Sequence, residues 1–198
     1  MKTDYPIKHV VVLMEENRSF DHMLGWMTKG GPSGDPRVDG IYGNECNPED
    51  INGGTKYVCV TEKAEDINAD PTHSFEAVTE QIFACKDHFQ PGHSSSVPGH
   101  EEDPCYSHAS TSGAPSMMGF ADQFRRKHSG SNGSCPLDMH PLENLPIMTK
   151  LAKEFALFDK FFCSHPGPTD PNRMFVHTGT AHGNTETGEC RKADDCGP

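Results

Sequence analysis

The sequence predicts an α/β fold in which a largely parallel sheet carries helices and is joined by long loops. Two short apolar runs, at residues 10–13 and 155–163, are each followed by a polar turn and then by a helical pattern. A continuous apolar run of this length is typical of a strand buried on both faces, as in a parallel sheet. The 19 glycines and 16 prolines in 198 residues indicate long irregular connections, and the length suggests a single domain.

The first of these units begins with Val-Val-Val-Leu at residues 10–13. Apolar residues then recur at the spacing of one helix face, namely Phe20, Met23, Leu24 and Met27. This spacing predicts an amphipathic helix that begins near Ser19, with Ser19 or Asn17 as its N-cap. Because ligands of open α/β sheets bind at the carboxyl ends of strands, Glu16 and Asn17 are expected at a site.

The second unit repeats this order of elements. Residues 155–163 are predicted to form a strand, and a polar turn leads from it to Thr169. Asp170 can cap a helix that has Pro171 at its first position and continues to residue 181. If the two strands are neighbours in a parallel sheet, the residues that follow them meet at one edge: Glu16, Asn17 and Thr169.

The residues between the two units predict a short strand at 57–60 and further helices. These helices are expected after Ser74, at residues 117–127 and from Pro146. His73 then lies at a helix N-terminus, a place that favours bound anions, and the alternative is an exposed histidine of the capping turn. The loop-rich segment 86–116 holds four histidines without the spacing of metal ligands, so a solvated loop is predicted there.

Charge and hydropathy exclude several classes of partner. The formal net charge is −12 and the pI is about 5.3, whereas nucleic-acid binding requires clustered Lys and Arg. The same acidity makes the chain a poor candidate for docking on anionic lipid. No stretch approaches the ~20 apolar residues that span a bilayer, so we expect peripheral membrane contact at most.

The eight cysteines predict disulfides rather than a metal site. None belongs to a Cys-x-x-Cys pair, and an even number favours disulfides in an oxidising compartment. The first residues lack the apolar segment of a signal peptide, which conflicts with an oxidising compartment. We reconcile the two observations by expecting that a signal peptide has been removed from the chain. The expected location is therefore outside the cell or in a secretory-pathway organelle, and the alternative is a cytoplasmic protein with free thiols. The acidic residues from Glu186 onward are expected to form an exposed tail.

Two signatures carry a resemblance to a known family. The stretch ENRSFDHMLGW, preceded by VVVLM, resembles the first signature of the phosphoesterase family of bacterial phospholipases C, acid phosphatases and plant non-specific phospholipases C. The stretch TDPNR at residues 169–173, followed by His182 and Gly183, resembles the second signature, T-x-P-N-R. The resemblance implies an alkaline-phosphatase-like three-layer sandwich. Because the family's later acidic block has no match here, residues 1–198 are expected to be the N-terminal portion of the catalytic domain.

Roles for these residues follow from the chemistry of phosphate esters and from the resemblance. The resemblance implies a Thr or Ser nucleophile and a phosphoenzyme, which points to Thr169. Oxygen ligands from Glu16 and Asn17 would suit a divalent metal ion, Mg, Ca, Mn or Zn, which would activate the hydroxyl. The remaining expected residues are Asn172 and Arg173 for the phosphoryl oxygens, and His182 or His73 for protonating the leaving alcohol.

Arg173 is also unusual for its position. A cation in the first turn of a helix opposes the helix dipole by roughly 0.3–1 kcal/mol, and a bound phosphate would reverse that penalty. The alternative is a salt bridge to Asp170 or Asp21.

The predicted function is a phospholipase C-type phosphodiesterase that cleaves glycerophospholipids to diacylglycerol and a phosphorylated head group. A phospholipid or another phosphate ester is therefore the expected substrate. One alternative is an acid phosphatase, a phosphomonoesterase on the same scaffold, because both signatures are shared. The other is a non-catalytic secreted fragment or binding protein, which the missing acidic block favours.

Overall fold

The computed structural model describes residues 6–28, 34–64, 69–85 and 115–188. The helices are α1 (Phe20–Leu24), α2 (Phe75–Phe83), α3 (Phe120–Lys127), α4 (Pro146–Glu154) and α5 (Thr169–Thr178). The strands are β1 (Cys46–Pro48) and β2 (Tyr57–Cys59), and short 3-10 helices lie at Gly25–Met27, Cys135–Leu137 and Leu142–Asn144. The helices predicted from the sequence are therefore confirmed, with ends shifted by a few residues.

A disulfide closes the β1–β2 hairpin. The two strands pair in antiparallel register with Cys46 opposite Cys59, and these two cysteines are bonded. Cys85 is also disulfide-bonded, whereas Cys135 and Cys163 are free among the described cysteines. The short strand predicted in this part of the chain is confirmed, and the hairpin disulfide agrees with the expectation of oxidised cysteines. Cys105, Cys190 and Cys196 lie outside the described residues.

Two apolar clusters form the interior of the described structure. The first joins the hairpin to α3 and contains Ile41, Val58, Val60, Ala121, Leu137 and Met139. The second contains Leu24, Met27 and Val38, with Phe20 and Met23 packed against it. The α1 face predicted from the apolar spacing is thus the face that packs inward, because burial of apolar side chains is the main stabilising term.

A polar seam holds α2 against α3. Gly119 donates its N–H to the carbonyl of Gln81 at 2.9 Å, and a Cβ at Gly119 would lie 2.1 Å from the carbonyl oxygen of Glu80. Only glycine allows the two backbones to approach this closely. Nearby, Arg126 donates to Glu80 at 2.6 Å and to Asp122 at 2.8 Å, so both buried carboxylates have an ionic partner.

Neither predicted apolar strand forms in the structure, so this part of the prediction is wrong. Residues 10–13 have no strand geometry, and Val11 is 90% exposed. Residues 155–163 are likewise irregular, and Phe161 is 85% exposed. A strand needs a neighbour that completes its hydrogen bonds and helices that cover its faces. No segment of the described ranges pairs with either run, so the apolar sequence alone does not produce a strand.

The fold class agrees with the sequence in outline. Helices are combined with a sheet, but the sheet of the described residues is two-stranded and antiparallel. The three-layer sandwich with a largely parallel sheet therefore stays a prediction. In the part of the chain that the structure describes, no helix is long and apolar enough to cross a membrane. Most of the predicted loop-rich segment, residues 86–114, lies outside the described residues.

Candidate functional site

A single carboxamide organises the turn that leads into α5. Asn172 accepts the N–H of His165 at 3.0 Å through its Oδ1. Its Nδ2 lies within hydrogen-bond distance of three carbonyls, those of His165 at 2.9 Å, Gly167 at 3.3 Å and Pro168 at 3.0 Å. Thr169 is the first residue of α5 and directly follows this turn. Asn172 therefore determines where Thr169 lies.

The segment 185–188 ties α5 to the start of α2. His165 Nε2 lies 3.0 Å from the carbonyl of Thr185, and its ring stacks on Phe75 with centroids 5.4 Å apart. Because a carbonyl only accepts, Nε2 carries the proton. Glu186 accepts the N–H of Phe75 at 2.8 Å and so caps α2, whose N-terminus favours a carboxylate. The expectation of an exposed tail is wrong for Glu186, because a contact 111 residues away in sequence holds it.

Asp170 completes this connection from the side of α5. Its carboxylate accepts the N–H of Gly188 at 2.9 Å, and its own N–H is donated to the hydroxyl of Thr187 at 3.3 Å. The start of α5 and the segment after it are therefore fixed to one another on both sides of Thr169.

A cavity of about 380 Å³ lies between the turn before α2 and the start of α5. Its lining residues are Asp70, Pro71, Thr72, His73, Ser74, Pro168, Thr169, Glu186 and Thr187. This volume is at the lower end of the range for small-molecule sites. The cavity brings together Thr169 and His73, two residues that are 96 positions apart in the sequence. Asp70, Glu186 and the lining hydroxyls were not expected from the sequence, because long-range contacts place them there.

The orientation of His73 is set by its own turn. Nδ1 lies 3.1 Å from the carbonyl oxygen of Pro71 and 3.5 Å from the carboxylate of Asp70. Since both of these partners accept, Nδ1 is the protonated nitrogen of the neutral ring. Nε2 is then the nitrogen that can exchange a proton with a group in the cavity.

The two signatures meet at an ion pair. Arg173 donates to the carboxylate of Glu16 through both Nε and Nη2. The partner is thus Glu16 rather than Asp170 or Asp21. Asn17, the next residue, has a left-handed backbone with φ of 65°, which asparagine adopts more readily than most residues. The ion pair brings the first signature to α5 although neither predicted strand forms.

The expected residues therefore fall into two groups and one outlier. Thr169 and His73 line the cavity, and Asn172 holds the turn beside it. Glu16 and Arg173 contact each other. His182 lies after α5, is exposed, and is not among the residues that line the cavity.

The side-chain oxygens of Glu16 and Asn17 are of the chemical type that hard divalent ions prefer, namely carboxylate and amide oxygens. Two ligands fall short of the six or more that such an ion takes. Across residues 6–28, 34–64, 69–85 and 115–188, no group of three or more His, Cys, Asp or Glu side chains is arranged to hold a metal ion. Glu16 and Asn17 would thus form part of a metal site and not the whole of it.

One histidine of the first signature is a packing residue. Burial lowers the pKa of His22 to about 4, so its ring is neutral at pH 7. The ring contacts His140 edge-on, with centroids 4.9 Å apart. Its Nε2 has no hydrogen-bond partner in the described ranges. His22 is therefore buried and is not among the described residues that line the cavity.

Comparison with known proteins gives the class to which these features belong. The family model of phosphoesterases matches residues 7–196, so the chain belongs to the phosphoesterase family and the resemblance is confirmed. Within it, the chain is 42% identical over 180 residues to non-specific phospholipase C6 of Arabidopsis thaliana. It is 39% identical over 183 residues to non-specific phospholipase C1 of the same plant. It is 27% identical over 179 residues to phospholipase C B of Mycobacterium tuberculosis.

These matches cover most of this chain but a small part of each relative. They include 91%, 92% and 85% of this chain, in the same order, and 29% of each relative. The chain therefore spans less than a third of the length of these curated relatives. The activity of a whole phospholipase is for this reason a proposal for the present chain.

Proposed function

We propose that this chain supplies part or all of the site of a phospholipase C-type phosphodiesterase. The reaction is hydrolysis of a glycerophospholipid to diacylglycerol and a phosphorylated head group. The observation that supports the proposal is that Thr169, at the start of α5, and His73 line one cavity in a member of the phosphoesterase family. The relatives that match it over most of its length are named phospholipases C, which favours a diester over a monoester substrate.

In the proposed reaction, the hydroxyl oxygen of Thr169 attacks phosphorus and the glycerol oxygen leaves. A threonine hydroxyl is a weak nucleophile and must lose its proton in this step. The proton of Thr169 would be released to water. His73 Nε2, the ring nitrogen on the side away from Pro71, would take up a proton from solvent and donate it to the leaving glycerol oxygen. Water then releases the head-group phosphate from Thr169.

Charge on the phosphoryl oxygens would be balanced at the start of α5. N–H groups in the first turn and the dipole of the helix favour an anion there. Arg173 has five N–H donors and gives Glu16 only those on Nε and Nη2, so the donors on Nη1 would be left for a phosphoryl oxygen. Asn172 would act with them by holding the turn, and His182 would have to move to take part.

A divalent metal ion is part of the proposal. Glu16 and Asn17 would be two of its ligands, and the bound ion would lower the pKa of the attacking hydroxyl. Measuring Ca²⁺, Mg²⁺, Mn²⁺ and Zn²⁺ binding by calorimetry for the unaltered chain and for Glu16→Gln tests this assignment. Equal affinity in both proteins would remove Glu16 from the site.

The test of the proposed reaction uses a chromogenic phosphocholine diester and two variants of Thr169. Thr169→Val keeps the shape of the side chain and removes its hydroxyl, whereas Thr169→Ser keeps the hydroxyl. We expect turnover by the unaltered chain and by Thr169→Ser, with a loss of at least about a thousandfold in Thr169→Val. Undiminished turnover in Thr169→Val would overturn the nucleophile assignment. Faster hydrolysis of the matching monoester than of the diester would instead favour an acid phosphatase.

We also propose that the protein acts in an oxidising compartment, either outside the cell or in a secretory organelle. The hairpin disulfide between Cys46 and Cys59 supports this, because structural disulfides persist mainly there. Mass spectrometry of protein alkylated without a reducing agent, taken directly from its source, checks the pairing.

A further inference from the structure

We propose that Asn132 carries an N-linked glycan. The stretch Asn132-Gly133-Ser134 is an Asn-x-Ser sequon, the acceptor sequence of N-glycosylation, in a loop rich in Gly and Ser. The inference rests on the proposed function for its compartment alone, because such glycans are added inside the secretory pathway. It does not depend on the reaction at Thr169.

The loop presents the Asn132 side chain to solvent. Residues 128–134 follow α3, and Asn132 is exposed whereas the neighbouring Gly133 is buried. Gly133 has φ of 82°, and a Cβ there would lie 2.4 Å from the carbonyl oxygen of Ala121. The loop is thus held against α3 at a position that only glycine fits. A glycan on Asn132 would therefore extend into water without displacing the described residue that anchors the loop.

A local hydrogen bond leaves the amide nitrogen of Asn132 outside the turn. Asn132 Oδ1 accepts the N–H of Ser134 at 3.1 Å, which forms an Asx turn. Because a backbone N–H pairs only with the oxygen of the carboxamide, the position of Nδ2 is fixed as well. Nδ2 is the atom that bonds to the sugar. The turn involves residues only two positions apart, so it can form before the chain folds.

The donor required is an oligosaccharide joined through a diphosphate to a membrane lipid. Asn132 Nδ2 bonds to C1 of the first sugar, and the bond between C1 and the diphosphate oxygen breaks. The lipid diphosphate leaves with the electron pair of that bond, and Nδ2 loses one proton to a base of the transferase. Nothing is oxidised or reduced, and the product is a glycosylated asparagine.

A second sequon begins at Asn17, and we expect it to stay unmodified. Asn17 directly follows Glu16, whose carboxylate pairs with Arg173. A glycan at Asn17 would lie beside this contact between the two signatures and would hinder it, because a glycan is bulky. The two sequons therefore differ in what surrounds them in the folded chain, although their sequence patterns are equivalent.

The experiment uses protein taken directly from its source and digested without a reducing agent. A peptide-N-glycosidase in heavy-oxygen water converts glycosylated Asn132 to Asp and adds one heavy oxygen atom, which mass spectrometry detects. A sample without the enzyme is the control, because Asn-Gly sequences also deamidate spontaneously. We expect enzyme-dependent labelling at Asn132 and none at Asn17.

The same digest separates this inference from the proposed compartment, because it shows whether Cys46 and Cys59 are bonded. Bonded cysteines without labelling at Asn132, or with labelling at Asn17 in its place, overturn the inference and leave the compartment standing. Free thiols at both cysteines with an unlabelled Asn132 overturn both proposals. The reaction at Thr169 is tested independently by its own variants.

Variants of the sequon test the acceptor itself. The chain is expressed behind an added signal peptide in a eukaryotic host, and gel mobility with and without the glycosidase is measured for secreted and retained protein together. Asn132→Gln and Ser134→Ala should each abolish the glycosidase-dependent shift, whereas Ser134→Thr should keep it. The matched control is Asn144→Gln, which alters an exposed asparagine outside a sequon and should keep the shift. A shift that persists in Asn132→Gln would overturn the inference.

Discussion

Phenylalanines are buried in one region of this molecule and exposed in another. Phe124 on α3 is 2% exposed, and Ala121 on the same helix is fully buried. Phe161, in the run before the second signature, is 85% exposed. Both lie in segments whose apolar character predicts burial. The difference shows that an apolar sequence alone does not bury a segment. Burial also requires packing partners, which come from elements elsewhere in the chain.

Substitutions in the packed region around Phe124 should lower stability much more than substitutions in the exposed run that contains Phe161. We expect Phe124→Ala to lower the free energy of unfolding by about 3–5 kcal/mol, because it removes buried area and leaves a cavity. Urea unfolding followed by circular dichroism measures this loss. A loss below about 1 kcal/mol would mean that the helix does not pack as described.

The second-largest loss of stability is expected in the polar seam between α2 and α3. Asp122→Asn keeps the shape but removes the charge that Arg126 contacts at 2.8 Å, in a side chain that is 1% exposed. We expect a loss of about 1–3 kcal/mol, because a buried partner is left incompletely paired. The control is Asp35→Asn, whose ion pair with Arg37 is exposed, and it should lose much less. Equal losses in both variants would contradict the buried character of the seam.

Acid should weaken the packed region through His22. The folded pKa of about 4 lies below the value of 6.5 for the unfolded chain. Burial lowers the pKa most, the charges of His140 and Arg18 lower it further, and Asp138 partly raises it again. Below pH 6.5 the unfolded chain binds a proton that the folded chain does not, so stability falls as pH drops towards 4. Relative to His22→Phe, the unaltered chain should lose about 1–2 kcal/mol more between pH 7 and pH 5. Urea unfolding at both pH values measures this difference. Equal losses of free energy in the unaltered chain and in His22→Phe would refute the lowered pKa of His22.

The exposed run should give the smallest effect. Phe161→Ala is expected to change the free energy of unfolding by no more than about 0.5 kcal/mol, because the ring is largely in contact with water. Fluorescence of a dye that binds apolar surface should fall in the same variant. A loss above about 2 kcal/mol would show that another surface covers the run in solution, and the contrast between the two regions would then disappear.

Local patterns in the sequence were sufficient for the helices. Ser74 was expected to cap α2, and its hydroxyl accepts the N–H of Ala77 at 3.3 Å. The face of α1 also packs inward as its spacing predicts. Capping and helical periodicity are settled within a few residues, so a single sequence is enough to recognise them.

Features that depend on distant partners could not be derived in this way. The strands at 10–13 and 155–163 were expected from composition, but a strand also needs neighbours that composition does not name. At the site, the spacing and the family resemblance pointed to Thr169 and His73. Glu186 was missed, because its place beside α2 depends on the N–H of a residue 111 positions earlier.

The contact between Glu16 and Arg173 has a consequence for the order of assembly. It joins residues that are 157 positions apart, and closing a loop of that length costs about 4 kcal/mol in chain entropy. An exposed ion pair returns at most about 1 kcal/mol, so it cannot bring the two signatures together in an unfolded chain. The pair therefore depends on other contacts, such as the stacking of His165 on Phe75, that shorten the path between the two signatures. The ion pair thus reports that the two signatures have been brought together and is not what brings them together.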